Sequence, residues 1–360
     1  MIALVCDTPY QIISALYAAK SISKDEPIVF FLNQFWDNSS RKFEIEQDEN
    51  IKIVYYGKEH MGMGLLLSSL YKPQKMLCRL EGYDTKMDFS HIITSRTAWM
   101  ATYLYQYHIE KNPNLKLYLI EEGIGEYAAP IPDTRFTKAC RLLHKKCQTD
   151  VIDAAYFCAP KLYPFQTNFP IYPLDCKENQ LCVMQLVDKL FDVRAELSKI
   201  EPYQNIFLNE APSANQDAQS YTDTEKSVVR ACAEALGEKN FVVKLHPRMD
   251  QYTVGNIHTV YAKFPMEVLP AHVDMSNHVL ISSMSTGLLT PKLLYDAEPT
   301  LVFTYQLMGD LYKECIPDEQ TRNRYFGFIK GVCALYRDQS KILIPATLEE
   351  LKEGLRAVHN

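Results

Sequence analysis

The chain has 360 residues, 47% hydrophobic and 23% charged, with a formal net charge of −6. That composition excludes a disordered, collagenous or coiled-coil chain, and the length favours two domains over one. The acidic balance argues against a nucleic-acid binder, which needs surplus Lys and Arg to meet phosphate.

Residues 2–6 (IALVC) read as a short buried strand. Thr8, Pro9 and Gln11 then make a helix start, with Thr8 as cap, Pro9 at the first helical position and Gln11 closing a capping box. The opening run has no basic flank and is interrupted by Asp7 and Pro9, so it does not read as an export signal. No apolar stretch reaches the ~18 residues of a membrane span. Apolar runs follow at 28–32, 51–55, 91–94 and 115–120, with a helix at 99–110. Strand–helix alternation of this kind predicts a parallel sheet covered by helices.

Arg135, Lys138, Arg141, His144, Lys145 and Lys146 stand at helical spacing with Phe136, Leu142 and Leu143. They read first as a solvated face, and second as a contact for anionic lipid or glycolipid. The stretch 151–180, with Pro160, Pro164, Pro170 and Pro173, reads as an irregular connection, and 180–199 as a helix leading into a second half. There, 205–210 is a strand and Thr222-Asp223-Thr224-Glu225 a capping box opening a helix over 223–236. Strands at 241–247, 258–262, 278–283 and 300–305 follow, and 347–358 is an amphipathic helix. The ten cysteines are scattered, without CxxC or zinc spacing. They read as small core residues in a reducing, cytoplasmic compartment.

In an open α/β sheet, ligands sit at the carboxyl ends of strands. After 115–120 come Glu121, Glu122 and Gly123: either an acid pair able to deprotonate a hydroxyl or an ordinary acidic turn. After 241–245 come His246, Pro247 and Arg248: a histidine suited to proton transfer near neutral pH beside an arginine suited to phosphate, or a plain strand–loop junction. After 278–281 come Ser282, Ser283, Met284, Ser285, Thr286 and Gly287, leading into a helix near Leu288. Hydroxyls and free N–H groups there suit a phosphate, or serve helix capping alone. No P-loop signature is present.

The ordered set of acid pair–Gly, His-Pro and serine cluster resembles the bacterial sialyltransferases of glycosyltransferase families 52, 38 and 80. Family 52, the lipooligosaccharide sialyltransferases, is the nearest in pattern, and the strand–TPYQ–helix opening, with Thr8 and Gln11, resembles it too. The resemblance spans nearly the whole chain through short motifs. It implies an α/β fold of GT-B type, with two Rossmann-like domains whose parallel sheets face a central cleft. Residues 1–177 would form the acceptor-side domain and 178–360 the nucleotide-sugar-binding domain, the last helix being able to pack back on the first domain.

The resemblance also implies roles. Glu122 matches the general base of families 38 and 80, with Glu121 and Gly123 beside it. His246 matches a general acid or a ligand of the donor phosphate, with Arg248 nearby. Ser282 and Ser283 match the hydroxyls that hold the phosphate of CMP, with Ser285 and Thr286 as rivals. Glu267, in Pro265-Met266-Glu267, matches a ribose-binding glutamate. The lipooligosaccharide enzymes take their base from an aspartate in the loop entering the second domain. Glu210 is the carboxylate at that strand end here, so the base stays open between Glu122 and Glu210.

The implied activity is metal-independent, cofactor-free inverting transfer of sialic acid from CMP-sialic acid to a cell-surface glycan or glycolipid of lipooligosaccharide or capsule type. Peripheral contact with the inner membrane face and a homodimer stay open. The alternatives are a UDP-hexose-dependent transferase of the same family, a nucleotide-sugar epimerase of the same shape, and a non-catalytic binding module on the same scaffold.

Overall fold

The computed structural model describes residues 1–33, 50–57, 69–213, 215–246, 248–249, 251–262 and 264–358. Pro247 of the His-Pro pair lies outside the described residues. The chain divides into two compact units, Met1–Leu190 and Phe191–Asn360.

Among the described residues the first unit is built on seven strands: β1 (Ile2–Cys6), β2 (Ile28–Asn33), β3 (Ile51–Tyr56), β4 (His91–Thr94), β5 (Lys116–Ile120), β6 (Ala154–Phe157) and β7 (Ile171–Pro173). Their order across the sheet is 3-2-1-4-5-6-7, and all pairings are parallel. Central β1 is buried along its whole length, whereas outer β3 alternates between covered and open positions. Parallel strands covered on both faces need continuous apolar runs, which is why IALVC and IVFFLN are readable as strands. Helix α1 (Pro9–Ile22) starts where expected: Thr8 accepts from the Gln11 N–H, and the Gln11 side chain accepts from the Asp7 N–H.

The stretch 151–180 departs from expectation. It contributes β6 and β7, which extend the sheet by pairing with β5 and with each other. Proline is tolerated because β7 is an edge strand, and Pro173 is its last residue. Helices α2 (Met100–His108), α3 (Arg135–Leu142) and α4 (Cys176–Phe191) are the longer ones that accompany these strands after α1. On α3, Thr137 and Cys140 face inward. Arg141 bridges Asp133 at 2.7 Å and Asp150 at 2.9 Å. No helix among the described residues is long and apolar enough to cross a membrane.

The second unit holds β8 (Asn205–Leu208), β9 (Phe241–Lys244), β10 (Thr259–Val260), β11 (Val279–Ser282), β12 (Thr300–Phe303) and β13 (Ile342–Leu343). The order is β10-β9-β8-β11-β12-β13, again parallel throughout. Counted within the unit this is 3-2-1-4-5-6, the same winding as in the first. Helices α5 (Ala218–Leu236), α6 (Thr290–Tyr295), α7 (Glu319–Cys333) and α8 (Leu348–Val358) accompany these strands. The sequence left open that α8 reaches back to the first half. It packs on α5, with Leu351 and Leu355 in the core of its own unit.

Helix α5 begins earlier than the capping-box reading allows. Asp217 is the cap, its carboxylate accepting from the Gln219 and Ser220 N–H groups. Thr222 and Thr224 lie inside the helix and donate back to the carbonyls of Ala218 and Ser220. Glu225 is therefore not a cap, and it is buried. All ten cysteines are free, and six of them are buried.

Candidate functional site

Doubly wound sheets bind ligands where the strand order reverses, outside the carboxyl ends of the strands. In the first unit that reversal lies between β1 and β4, and in the second between β8 and β11.

At the rim of the first unit, the two acids of the pair have different environments. Glu121 is 1% exposed. One of its oxygens accepts from the Tyr10 hydroxyl, and the other accepts from the Tyr127 hydroxyl at 2.5 Å and the Cys158 N–H at 2.8 Å. It is a fully occupied internal acceptor. Glu122 is half-buried and accepts from the Thr97 hydroxyl at 2.6 Å and the Thr97 N–H at 3.3 Å. Gly123 follows at φ +111°, a region that L side chains rarely adopt, so the turn that follows the two carboxylates requires glycine.

Asp7, directly after β1, also belongs to this rim. Its Oδ1 accepts from Asn33 Nδ2 at 2.9 Å and from the Tyr56 hydroxyl at 2.7 Å. Burial raises its carboxyl despite these two donors, and the charge of Glu122 raises it further. Sequence reading used Asp7 only to reject an export signal, although the strand-end rule applies to it as well. Buried Glu126 lies near the pair, its Oε2 at 2.9 Å from Arg96 Nε. Burial holds the Glu126 carboxyl well above the usual range against the pull of Arg96. Thr8 is exposed at the start of α1, and Gln11 is buried with its amide used in the cap.

In the second unit the loops after β8, β9 and β11 converge. His246 Nδ1 accepts from the Arg248 N–H at 3.1 Å. A neutral imidazole in that contact carries its proton on Nε2 and offers it as a donor. Burial first, then the charges of Arg248 and Lys244, push the histidine down to about 4. The ring is therefore neutral at physiological pH. The Arg248 side chain is exposed.

The serine loop after β11 surrounds Glu210. The Ser282 hydroxyl donates to Glu210 Oε1 at 2.6 Å and lies 2.7 Å from the Leu208 carbonyl. The Met284 N–H donates to Glu210 at 2.6 Å, and the Ser283 and Ser285 N–H groups also favour the ionised carboxylate. Burial outweighs these donors and raises the Glu210 carboxyl. Successive N–H groups of this kind form an anion nest, and here the anion is a side chain of the neighbouring strand end. Ser283 is 2% exposed, and its hydroxyl has no hydrogen-bond partner. Ser285 accepts from the Gly287 N–H and caps a single 3₁₀ turn, Thr286–Leu288. The expected helix near Leu288 is thus that turn followed by the six-residue α6, so little helix dipole reaches the loop.

Glu267 is buried in a 3₁₀ turn that Pro265 precedes. Burial raises its carboxyl, and the nearby Lys244 opposes the rise. Lys244 itself is pushed down to about 8 by burial. This turn meets the serine loop at Gly287. A Cβ there would lie 3.0 Å from Leu208 Cδ1 and 3.3 Å from Met266 Cβ. Gly287→Ala is expected to lose about 1–3 kcal/mol through overpacking, read as a lower midpoint in a denaturant titration.

Sequence reading missed three residues that tie these loops. Asn209 Oδ1 accepts from the His246 N–H at 3.2 Å. Glu225 accepts from Asn209 Nδ2 at 2.6 Å and from the Glu210 N–H at 3.1 Å. Tyr325 on α7 donates its hydroxyl to the Met284 carbonyl at 2.5 Å. Asn209 was legible as a strand-end residue. Glu225 was masked by its cap-like spacing, and nothing in the sequence marks Tyr325. Burial foremost raises Glu225 to about 7. No group of three or more His, Cys, Asp or Glu among the described residues is arranged to hold a metal ion.

No protein-family profile matches the chain, and no curated protein does. Among solved structures it is similar to the UDP-GlcNAc 2-epimerase of Methanocaldococcus jannaschii in complex with UDP-GlcNAc and UDP. The two share 12% identity at a TM-score of 0.52, over 100% of this chain and 92% of that one. It is also similar to the glycotransferase of kitacinnamycin (11% identity, TM-score 0.48, 99% and 90% covered). A third is the H548A variant of the wall teichoic acid polymerase TagF (10% identity, TM-score 0.49, 99% and 79% covered). Two parallel Rossmann-type sheets and the whole-length likeness to the epimerase establish the fold as GT-B.

Proposed function

We propose that the protein is an inverting glycosyltransferase whose second unit binds a nucleotide sugar through its phosphate and whose first unit supplies the base for the acceptor hydroxyl. The observation that carries this reading is the donor set on the loops after β9 and β11 of the second unit. His246 is fixed with Nε2–H available, and Ser283 keeps a buried hydroxyl without a partner. Both are neutral hydrogen-bond donors suited to a phosphate oxygen. Glu267 is the ribose ligand in this reading, and Arg248 adds positive charge from the rim. Ser285 and Thr286 border the phosphate, while Ser282 and Glu210 hold the loop in shape. His246 acts by hydrogen bonding to the leaving phosphate rather than by giving up a proton, because its Nδ1 is already an acceptor.

Glu122 is the base: its carboxylate is held from one side by Thr97, whereas Glu121 has both oxygens occupied inside the core. The donor is CMP-sialic acid, by the resemblance of the ordered motifs, and the acceptor a cell-surface glycan. Peripheral contact with an anionic membrane is supported by α3, where Leu142 is 81% exposed beside exposed Arg135 and Lys138. Lys145 lies over the ring of Tyr71, itself exposed.

Calorimetry with CMP and UDP tests the donor. CMP is expected to bind at least ~10-fold more tightly, a difference of about 1.4 kcal/mol. Preference for UDP would replace the sialyl donor by a hexosyl one, and binding of neither would end the donor-site reading.

A further inference from the structure

We infer that Glu225 is a positioning residue: one buried carboxylate on α5 sets the geometry of both the His246 imidazole and the serine loop. What these two groups do rests on the donor-site reading above, whereas the tethers stand on their own. Glu225 Oε2 accepts from Asn209 Nδ2, and Asn209 Oδ1 in turn accepts from the His246 N–H. The Asn209 N–H donates to the Lys244 carbonyl at 3.1 Å, which extends the β8–β9 ladder to the residue before Glu210. Glu225 Oε1 accepts from the Glu210 N–H. Glu210 then carries its own position into the serine loop through Ser282 and Met284. The loops that follow β9 and β11 are thereby both referred to a single side chain on the helix after β8.

A carboxylate is required at this place because Asn209 Nδ2 and the Glu210 N–H both donate to it, and the nearby Tyr252 hydroxyl favours the same ionised form. Glutamine offers one oxygen and one NH2, so either Asn209 Nδ2 or the Glu210 N–H would face another donor. Asn209 cannot flip to compensate, since its oxygen already receives the His246 N–H. Removing one acceptor from a buried network displaces its members rather than subtracting one bond.

The test uses the full-length chain carrying Glu225→Gln, with circular dichroism to establish folding, CMP and UDP calorimetry, and the ¹⁵N resonances of the His246 ring. The expected result is a folded protein that binds its nucleotide at least ~10-fold more weakly and has shifted His246 resonances. A variant that melts earlier, but binds nucleotide as the wild type does and keeps the His246 resonances in place, would reduce Glu225 to a structural group and overturn the inference. If Glu225→Gln does not fold, Asn209→Ala decides: it cuts the tether to His246 and the Nδ2 contact to the Glu210 carbonyl but leaves the Glu210 N–H on Glu225, and unchanged His246 resonances would be equally fatal. If wild type binds neither CMP nor UDP, the donor-site reading fails, and the His246 resonances alone decide the positioning role.

Discussion

Replacing His246 by alanine is expected to cut nucleotide-sugar turnover by ~10²-fold or more, the usual cost of losing one donor to developing charge. Nucleotide affinity should fall in the same variant, because the Nε2–H contact belongs to the ground state as well. The direction follows from the backbone contact of Arg248 on Nδ1 and from the depression of the ring to about 4. At neutral pH there is no proton on Nδ1 to give, only an N–H on the far side of the ring to donate. His246→Gln, which keeps an N–H donor, should therefore recover part of the loss. Donor hydrolysis followed alongside calorimetry checks both variants. Undiminished turnover in His246→Ala would remove the histidine from the chemistry. Failure of glutamine to recover anything would favour proton transfer instead.

The adjacent acids should fail in opposite ways. Glu122→Gln keeps an oxygen for the Thr97 donors, so it should fold normally and bind nucleotide. Acceptor transfer should drop by ~10²–10⁴-fold, the contribution of a general base. Glu121→Leu should instead compromise folding. It strands the hydroxyls of Tyr10 and Tyr127 and the Cys158 N–H, all donors to Glu121. Each buried donor left unmet costs roughly 1–3 kcal/mol, against a total stability of about 5–15 kcal/mol. Denaturant titration and transfer assays on the two variants separate them. A stable, inactive Glu121→Leu beside an active Glu122→Gln would exchange the two roles.

The central strands were legible because parallel strands buried on both faces need unbroken apolar runs. IALVC and VLIS could be little else. The strand-end rule then led to Glu121, Glu122, His246 and the serine loop without knowledge of the contacts, and the family resemblance added Glu210. It missed what proline hid: β6 and β7 lie in a stretch whose four prolines suggested irregularity, yet an edge strand tolerates a missing N–H. It also missed what depends on competition between neighbours. Asp217 captures the start of α5 with two backbone donors, so the Thr222 pattern never acts as a cap, and Glu225 turns inward. The state of Glu210 could not be read either. A strand-end carboxylate looks the same in sequence whether it faces solvent or fills a ring of N–H groups, and only the path of the β11 loop decides.

That filled ring affects the thermodynamics of any ligand that reaches the loop. Flexible phosphate-binding loops lose conformational entropy when they close on their anion, which weakens association. Here the Glu210 carboxylate already holds the loop through Ser282 and Met284. These contacts are made on folding, so under the proposed function a nucleotide at Ser283 would meet a loop already tied and would lose less entropy in ordering it.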